Sequence, residues 1–187
     1  MAETISAAAS AATLVVLTAA AVAALIQLRH LHASNQLSAF IDIYNRANAP
    51  DMMKLFDFVL LELPQILKSD PQYVEKVAQR RVPSSESPVR LAFWFDEVGI
   101  ALRQKLVPPE MIFQVGASAY ATVTAWVAMR PLIEELRKRS RASFLHFEYA
   151  AVLAQQWIDA HPEGDYPAGT PRWRDIEQAH APGRIQR

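Results

Sequence analysis

The chain has no cysteine. That excludes disulfides, iron–sulfur clusters and cysteine-based zinc sites, and it leaves the redox compartment open. Glycine is scarce: five residues in 187, the first at Gly99. A phosphate-cradling loop needs several glycines close together, and Gly99 and Gly116 stand alone. No GxSxG elbow and no HExxH pair occurs. Charge of one sign is missing as well, because Lys plus Arg and Asp plus Glu are 19 each. A chain without a strong positive field does not attract nucleic acid, and no nucleic-acid partner is expected.

The charge that is present is unevenly placed. Glu3 is the one charged side chain before Arg29, and Thr4 to Leu28 is an uncharged run of 25 residues. As a helix it would reach roughly 37 Å, against about 30 Å of bilayer hydrocarbon. Its nine Leu, Ile and Val residues favour insertion by about 3 to 5 kcal/mol at most, less what alanine, serine and Gln27 take back. A cleaved signal peptide is the rival. It asks for a basic leader and a shorter apolar core, whereas Met1 to Thr4 carries an acid and no base. The run is therefore expected to be a transmembrane anchor over 1–28. No basic residue precedes it, while Arg29 and Arg46 follow it, with His30 and His32 beside Arg29. In a bacterial inner membrane this bias puts the N-terminus outside and the C-terminal domain in the cytoplasm. Ser6 with Ser10, and Ala20 with Ala24, have the four-residue spacing that lets two such helices approach. The lipid bilayer is thus one expected partner, and a homo-oligomer or another membrane protein is the second.

Twelve prolines and few glycines favour helices with sharp ends, so the fold class is all-α: the membrane helix, a bundle of about five helices, and a loose tail. A juxtamembrane stalk is expected over 29–49. Leu37, Phe40, Ile41 and Tyr44 follow the i, i+3, i+4, i+7 rule and form a stripe suited to packing on the domain. Ala49-Pro50 ends that helix. A helical domain then covers 50–160. Its second helix, Asp51 to Leu63, turns Met52, Phe56, Val59, Leu60 and Leu63 inward, and Pro64 ends or kinks it. Asp70-Pro71 and Ser87-Pro88 read as helix starts. The first opens a helix with Tyr73, Val74, Val77 and Ala78 inward, and the second an apolar helix over 88–105. A fifth helix from Glu110 carries Met111, Ile112, Val115, Ala119, Val123, Trp126 and Val127 on one side, and Pro131 must kink or split it. The last, 142–160, buries Phe144, Leu145, Val152 and Trp157. From His161 to the end a loose tail is expected.

Several short segments carry a resemblance. They are Phe93-Trp94-Phe95-Asp96-Glu97-Val98-Gly99, Leu106-Val107-Pro108-Pro109-Glu110, Trp126, Arg130-Pro131-Leu132-Ile133, Arg137 and Phe147-Glu148-Tyr149-Ala150. In this order they are similar to a bacterial family of short membrane proteins known as a domain of unknown function, number four thousand seven hundred and sixty. The likeness is clearest over 88–153. It implies one N-terminal membrane helix and a helical domain, and it supplies no activity. The usual Phe-Glu pair of the first segment is replaced here by Asp96-Glu97 after Phe95.

Chemistry rests on few candidates. Glu97 and Glu148 each lie beside apolar helix positions, three or four residues from Phe93, Ile100, Leu145 and Val152. Two inward carboxylates on different helices would serve a metal-dependent hydrolase as ligands or as acid and base. The competing reading pairs them with Arg130 or Arg137, since a buried charge needs a partner. No third ligand is apparent, so no metal and no cofactor is assigned. Trp126, Arg130 and Arg137 are the binding candidates, with Lys138, Arg139 and Arg141 beside Arg137 as a cation cluster for phosphate or lipid headgroups. Paired histidines two apart, such as His30 and His32, point away from each other on a helix. A non-enzymatic module for protein interaction or self-assembly at the membrane is the leading expectation.

Overall fold

The computed structural model describes residues 2–83, 87–115, 118–164, 169, 170, 172 and 173, with side chains from Thr13 onward. Every secondary-structure element among them is helical: α1 (Ala2–Ala47), α2 (Pro50–Asp57), a π-helical turn (Phe58–Glu62), α3 (Leu63–Ser69), α4 (Tyr73–Ala78), α5 (Val89–Arg103), α6 (Pro109–Phe113), α7 (Ser118–Arg137) and α8 (Leu145–Ala160). The segments expected as anchor and stalk are thus one unbroken helix. Over Thr13–Ala47 it is long and apolar enough to cross a membrane, and its most apolar stretch is not buried in the protein at all. A core helix of that composition would be covered by neighbours. Asn48 closes the helix by donating from its side-chain amide to the Tyr44 carbonyl, 2.7 Å away. Ala49 is extended, as the residue before proline must be.

Pro64 does not end the second helix. The chain stays helical from Pro50 to Ser69 because the turn before the proline widens. The Leu63 N–H donates to the Phe58 carbonyl, five residues back. A proline lacks the N–H and presses its ring on the carbonyl four residues earlier, and a π turn accommodates both. The expected inner face holds, with Met52, Val59 and Leu63 buried and Phe56 and Leu60 half-buried. Asp70 does not cap α4, which starts two residues later than expected at Tyr73 with Gln72 before it; the Asp70 carboxylate instead accepts the Gln72 N–H at 3.0 Å in the turn that leads into the helix. Val77 and Ala78 are buried and Tyr73 and Val74 half-buried behind it.

Three expectations about facing change. The single fifth helix is two, because the chain breaks after Phe113 and resumes at Ser118. Ser118 donates its hydroxyl to the Ile112 carbonyl and ties the pieces together. The break resets the helical phase, so the inner face of α7 is Ala119, Thr122, Ala125, Met129, Leu132 and Ile133. Val115 and Val127 point to solvent. Pro131 does not split α7, since it and Val127 both lie on the exposed face, where water reaches the unpaired carbonyl. In α8 the buried residues are Phe147, Ala150, Ala151 and Ala154, with Phe144 just before them, while Leu145 and Val152 are exposed. On the stalk, Phe40 packs on the domain together with Ala39, Ile43 and Ala47. Leu37, Ile41 and Tyr44 are about half exposed instead. The expected loose tail lies mostly outside the described residues.

Candidate functional site

Two places concentrate the polar side chains. The first is the joint of α5, α7 and α8. Gly99 of α5 sits against the His146 carbonyl so closely that a β-carbon would come within 1.9 Å of its oxygen. One turn earlier on the same face, Asp96 accepts the backbone N–H groups of His146 and Phe147, both at 3.0 Å. These are first-turn donors of α8 that have no partner within the helix. The residue before α8, Phe144, is left-handed at φ 57° and gives no side-chain cap. Asp96 therefore caps α8 from a different helix, with its negative charge at the positive helix end.

Arg137 closes the other side. Its guanidinium pairs with Glu148 at 2.7 Å, donates from Nε to the Ser143 carbonyl at 2.9 Å, and donates from an Nη to the Phe144 carbonyl at 3.2 Å. It also lies over the Trp126 ring, 5.6 Å from the centroid. Trp126 meets Phe147 edge-on at 5.2 Å, and Phe147 stacks on Phe95 at 4.5 Å. Phe95, Asp96, Gly99, Trp126, Arg137, Phe147 and Glu148 thus converge on one joint.

The second place is a cleft of about 230 Å³ where α1, α2 and α5 meet. Phe93, Trp94, Met52 and Ala49 line it. Arg46, on the last turn of α1, pairs with Glu97 at 2.6 Å. Arg90 pairs with Asp51 across the same opening. The Arg90 guanidinium, chiefly through its hydrogen bond, holds the Asp51 carboxyl below its ordinary value. Both ion pairs are half exposed, so each adds little stability. Their effect is geometric, clasping the base of the stalk to α5.

Glu97 and Glu148 therefore sit in separate ion pairs, and only Glu97 lines the cleft. Among the described residues no group of three or more His, Asp or Glu side chains is placed to hold a metal ion. Arg130 pairs with Glu134 on its own helix, and that carboxylate raises its pKa. The cation cluster is largely engaged: Lys138 pairs with Glu135, and Arg139 donates to the Ala78 carbonyl at 2.8 Å. Sequence reasoning missed Asp96, Gly99, Arg46 and Arg90 as contributors. A signal existed for the first two, which lie three apart on one helix face. None existed for Arg46 with Glu97.

A sharp contrast between neighbours follows. Asp96→Ala is expected to cost about 2 kcal/mol, as two first-turn N–H groups lose a charged acceptor. Glu97→Ala, which removes a half-exposed ion pair, is expected to cost less than about 1 kcal/mol. Urea unfolding of the detergent-solubilised chain, followed by circular dichroism, measures both. Equal losses would count against the cap.

No family model, no curated protein and no solved structure matches this chain.

Proposed function

We propose that this protein is a single-pass, membrane-anchored helical module whose role is protein interaction or self-assembly at the bilayer, and that its architecture is that of the membrane-protein family it resembles. One observation carries the reading. The apolar stretch of α1 is bare, and the same helix runs without interruption to the turn where Phe40, Ile43 and Ala47 dock on the domain. A rigid rod that is unburied at one end and fastened at the other holds a domain at a fixed height above lipid. From Leu28 to the Arg46–Glu97 pair is eighteen residues, or roughly 27 Å of helix. The basic residues after the anchor support a cytoplasmic domain at a bacterial inner membrane. Arg46, Glu97, Arg90, Asp51, Asp96, Arg137 and Glu148 are engaged in holding helices together, which supports a binding or scaffolding role over catalysis.

The full chain is expected to stay in the membrane pellet after an alkaline carbonate wash. A chain lacking residues 1–28 is expected in the supernatant. Release of the full chain by the wash would end the anchor reading. A protease added to intact inverted vesicles should digest the domain, and protection there would reverse the orientation.

A further inference from the structure

We propose that α1 pairs with the α1 of a second copy of this chain, parallel and in register, along the face that runs from Ala20 to Tyr44. The inference rests on the membrane-anchored reading and adds the occupant of a surface which that reading leaves bare. Leu37, Ile41 and Tyr44 project from the stalk into water at 50%, 46% and 46% exposure. They are spaced four and three apart, the alternation by which one helix meets another helix. The spacing continues toward the N-terminus without a slip through Ser34, His30 and Gln27, and then Ala23 and Ala20. The helix is unbroken over this whole length, so the face is continuous.

The composition of the face changes with depth as a self-association seam requires. In the lipid part it offers small residues, Ala20 and Ala23, which let two backbones approach where large apolar side chains gain nothing from pairing. At the lipid boundary it offers hydrogen-bonding groups, Gln27 and His30, which bridge helices there. In water it offers large apolar side chains, where burial is favourable. The far side of the helix shows the reverse order, with Leu14, Leu25 and Leu28 toward lipid and Asn35 and Asp42 toward water. That order is what each medium asks of a surface facing it. The domain does not cover the seam, because its contacts on Phe40, Ile43 and Ala47 lie about a quarter turn around the helix.

The occupant is a second copy because anchoring gives every chain in the membrane the same direction and the same height. Two α1 helices side by side then match small with small, polar with polar and apolar with apolar at every level. A soluble partner would meet only the upper third. The strict seven-residue repeat also drifts by about 20° per heptad on a straight helix, which a left-handed supercoil of two such helices takes up.

The absence of native cysteine makes the test direct. Single-cysteine variants Leu37→Cys, Ile41→Cys, Asn35→Cys and Asp42→Cys of the full chain are oxidised in native membranes and run on non-reducing gels. Disulfides need α-carbons within about 7 Å, so the first two are expected to give roughly tenfold more dimer than the last two. Adding Ile41→Asp to Leu37→Cys should abolish the dimer while the chain stays in the membrane pellet with its helicity unchanged. Pelleted chain with no dimer at any position overturns the seam and leaves the anchor standing. Equal dimer on both faces, or an adduct whose mass is that of another protein, overturns it as well. Chain found in the supernatant overturns both readings together.

Discussion

Replacing Phe147 with alanine is expected to lower the stability of the domain by about 3 to 5 kcal/mol. The ring is fully buried, stacked nearly parallel on Phe95 at 4.5 Å and met edge-on by Trp126 at 5.2 Å. Phe95 in turn meets Phe56 at 5.6 Å, and Phe56 meets Trp94 at 5.5 Å. Phe147 thus joins the aromatic groups of α8, α7, α5 and α2, and its removal leaves a hole that none of these rigid rings can fill by bending. Aromatic pairs add about 0.5 to 1.5 kcal/mol beyond their area, so the loss of two falls at the upper end. Domains of this size hold about 5 to 15 kcal/mol in all, and at about 4 °C per kcal/mol the variant should melt about 12 to 20 °C below the parent. Thermal unfolding followed by circular dichroism checks this, with Val127→Ala as the control. Val127 is exposed on α7 and its truncation should be silent. A loss below about 1 kcal/mol at Phe147 would mean that the ring is not central to the packing.

The same residues show where sequence reasoning succeeds and where it stops. The long apolar helix was legible because an uncharged run is a property of neighbours in the chain. Helix starts expected at Asp51, Pro71 and Pro88 were legible to within two residues for the same reason, the helices beginning at Pro50, Tyr73 and Val89. The disturbance at Pro64 was legible, but not its form, since a π turn and a break both spare the missing N–H. Periodicity found an apolar face on the stalk and could not say what covers it: Phe40 turns to the domain, and Leu37, Ile41 and Tyr44 do not. In α8 a preference for bulky side chains as core residues chose Leu145 and Val152. The helix instead turns Ala150, Ala151 and Ala154 inward beside Phe147. At the candidate sites, the sequence offers Arg137 as a partner for Glu148, and the two do pair. Pairing Glu97 with Arg46 spans 51 residues, and no local pattern carries it.

The close approach of α5 and α8 leads to a prediction whose sign alone is informative. In the middle of an ordinary helix, glycine to alanine stabilises by about 1 kcal/mol, because alanine has less backbone freedom to lose. Gly99 lies inside α5, so helix propensity expects a gain there. Packing expects the reverse. A β-carbon at position 99 would lie 1.9 Å from the His146 oxygen and 2.4 Å from its carbonyl carbon, and both are backbone atoms that no rotamer change can move. The helices must part, and Gly99→Ala is expected to cost about 3 kcal/mol, the upper range for overpacking. Parting them also lengthens the two 3.0 Å hydrogen bonds from α8 to Asp96, one turn away. The two substitutions therefore share one loss. The double variant Asp96→Ala with Gly99→Ala should fall short of the sum of the singles by about 1 kcal/mol, as coupled neighbours do. Urea unfolding of the four chains gives the cycle. A more stable Gly99→Ala would show that α5 and α8 do not touch at this point, and full additivity would detach the Asp96 cap from the helix crossing.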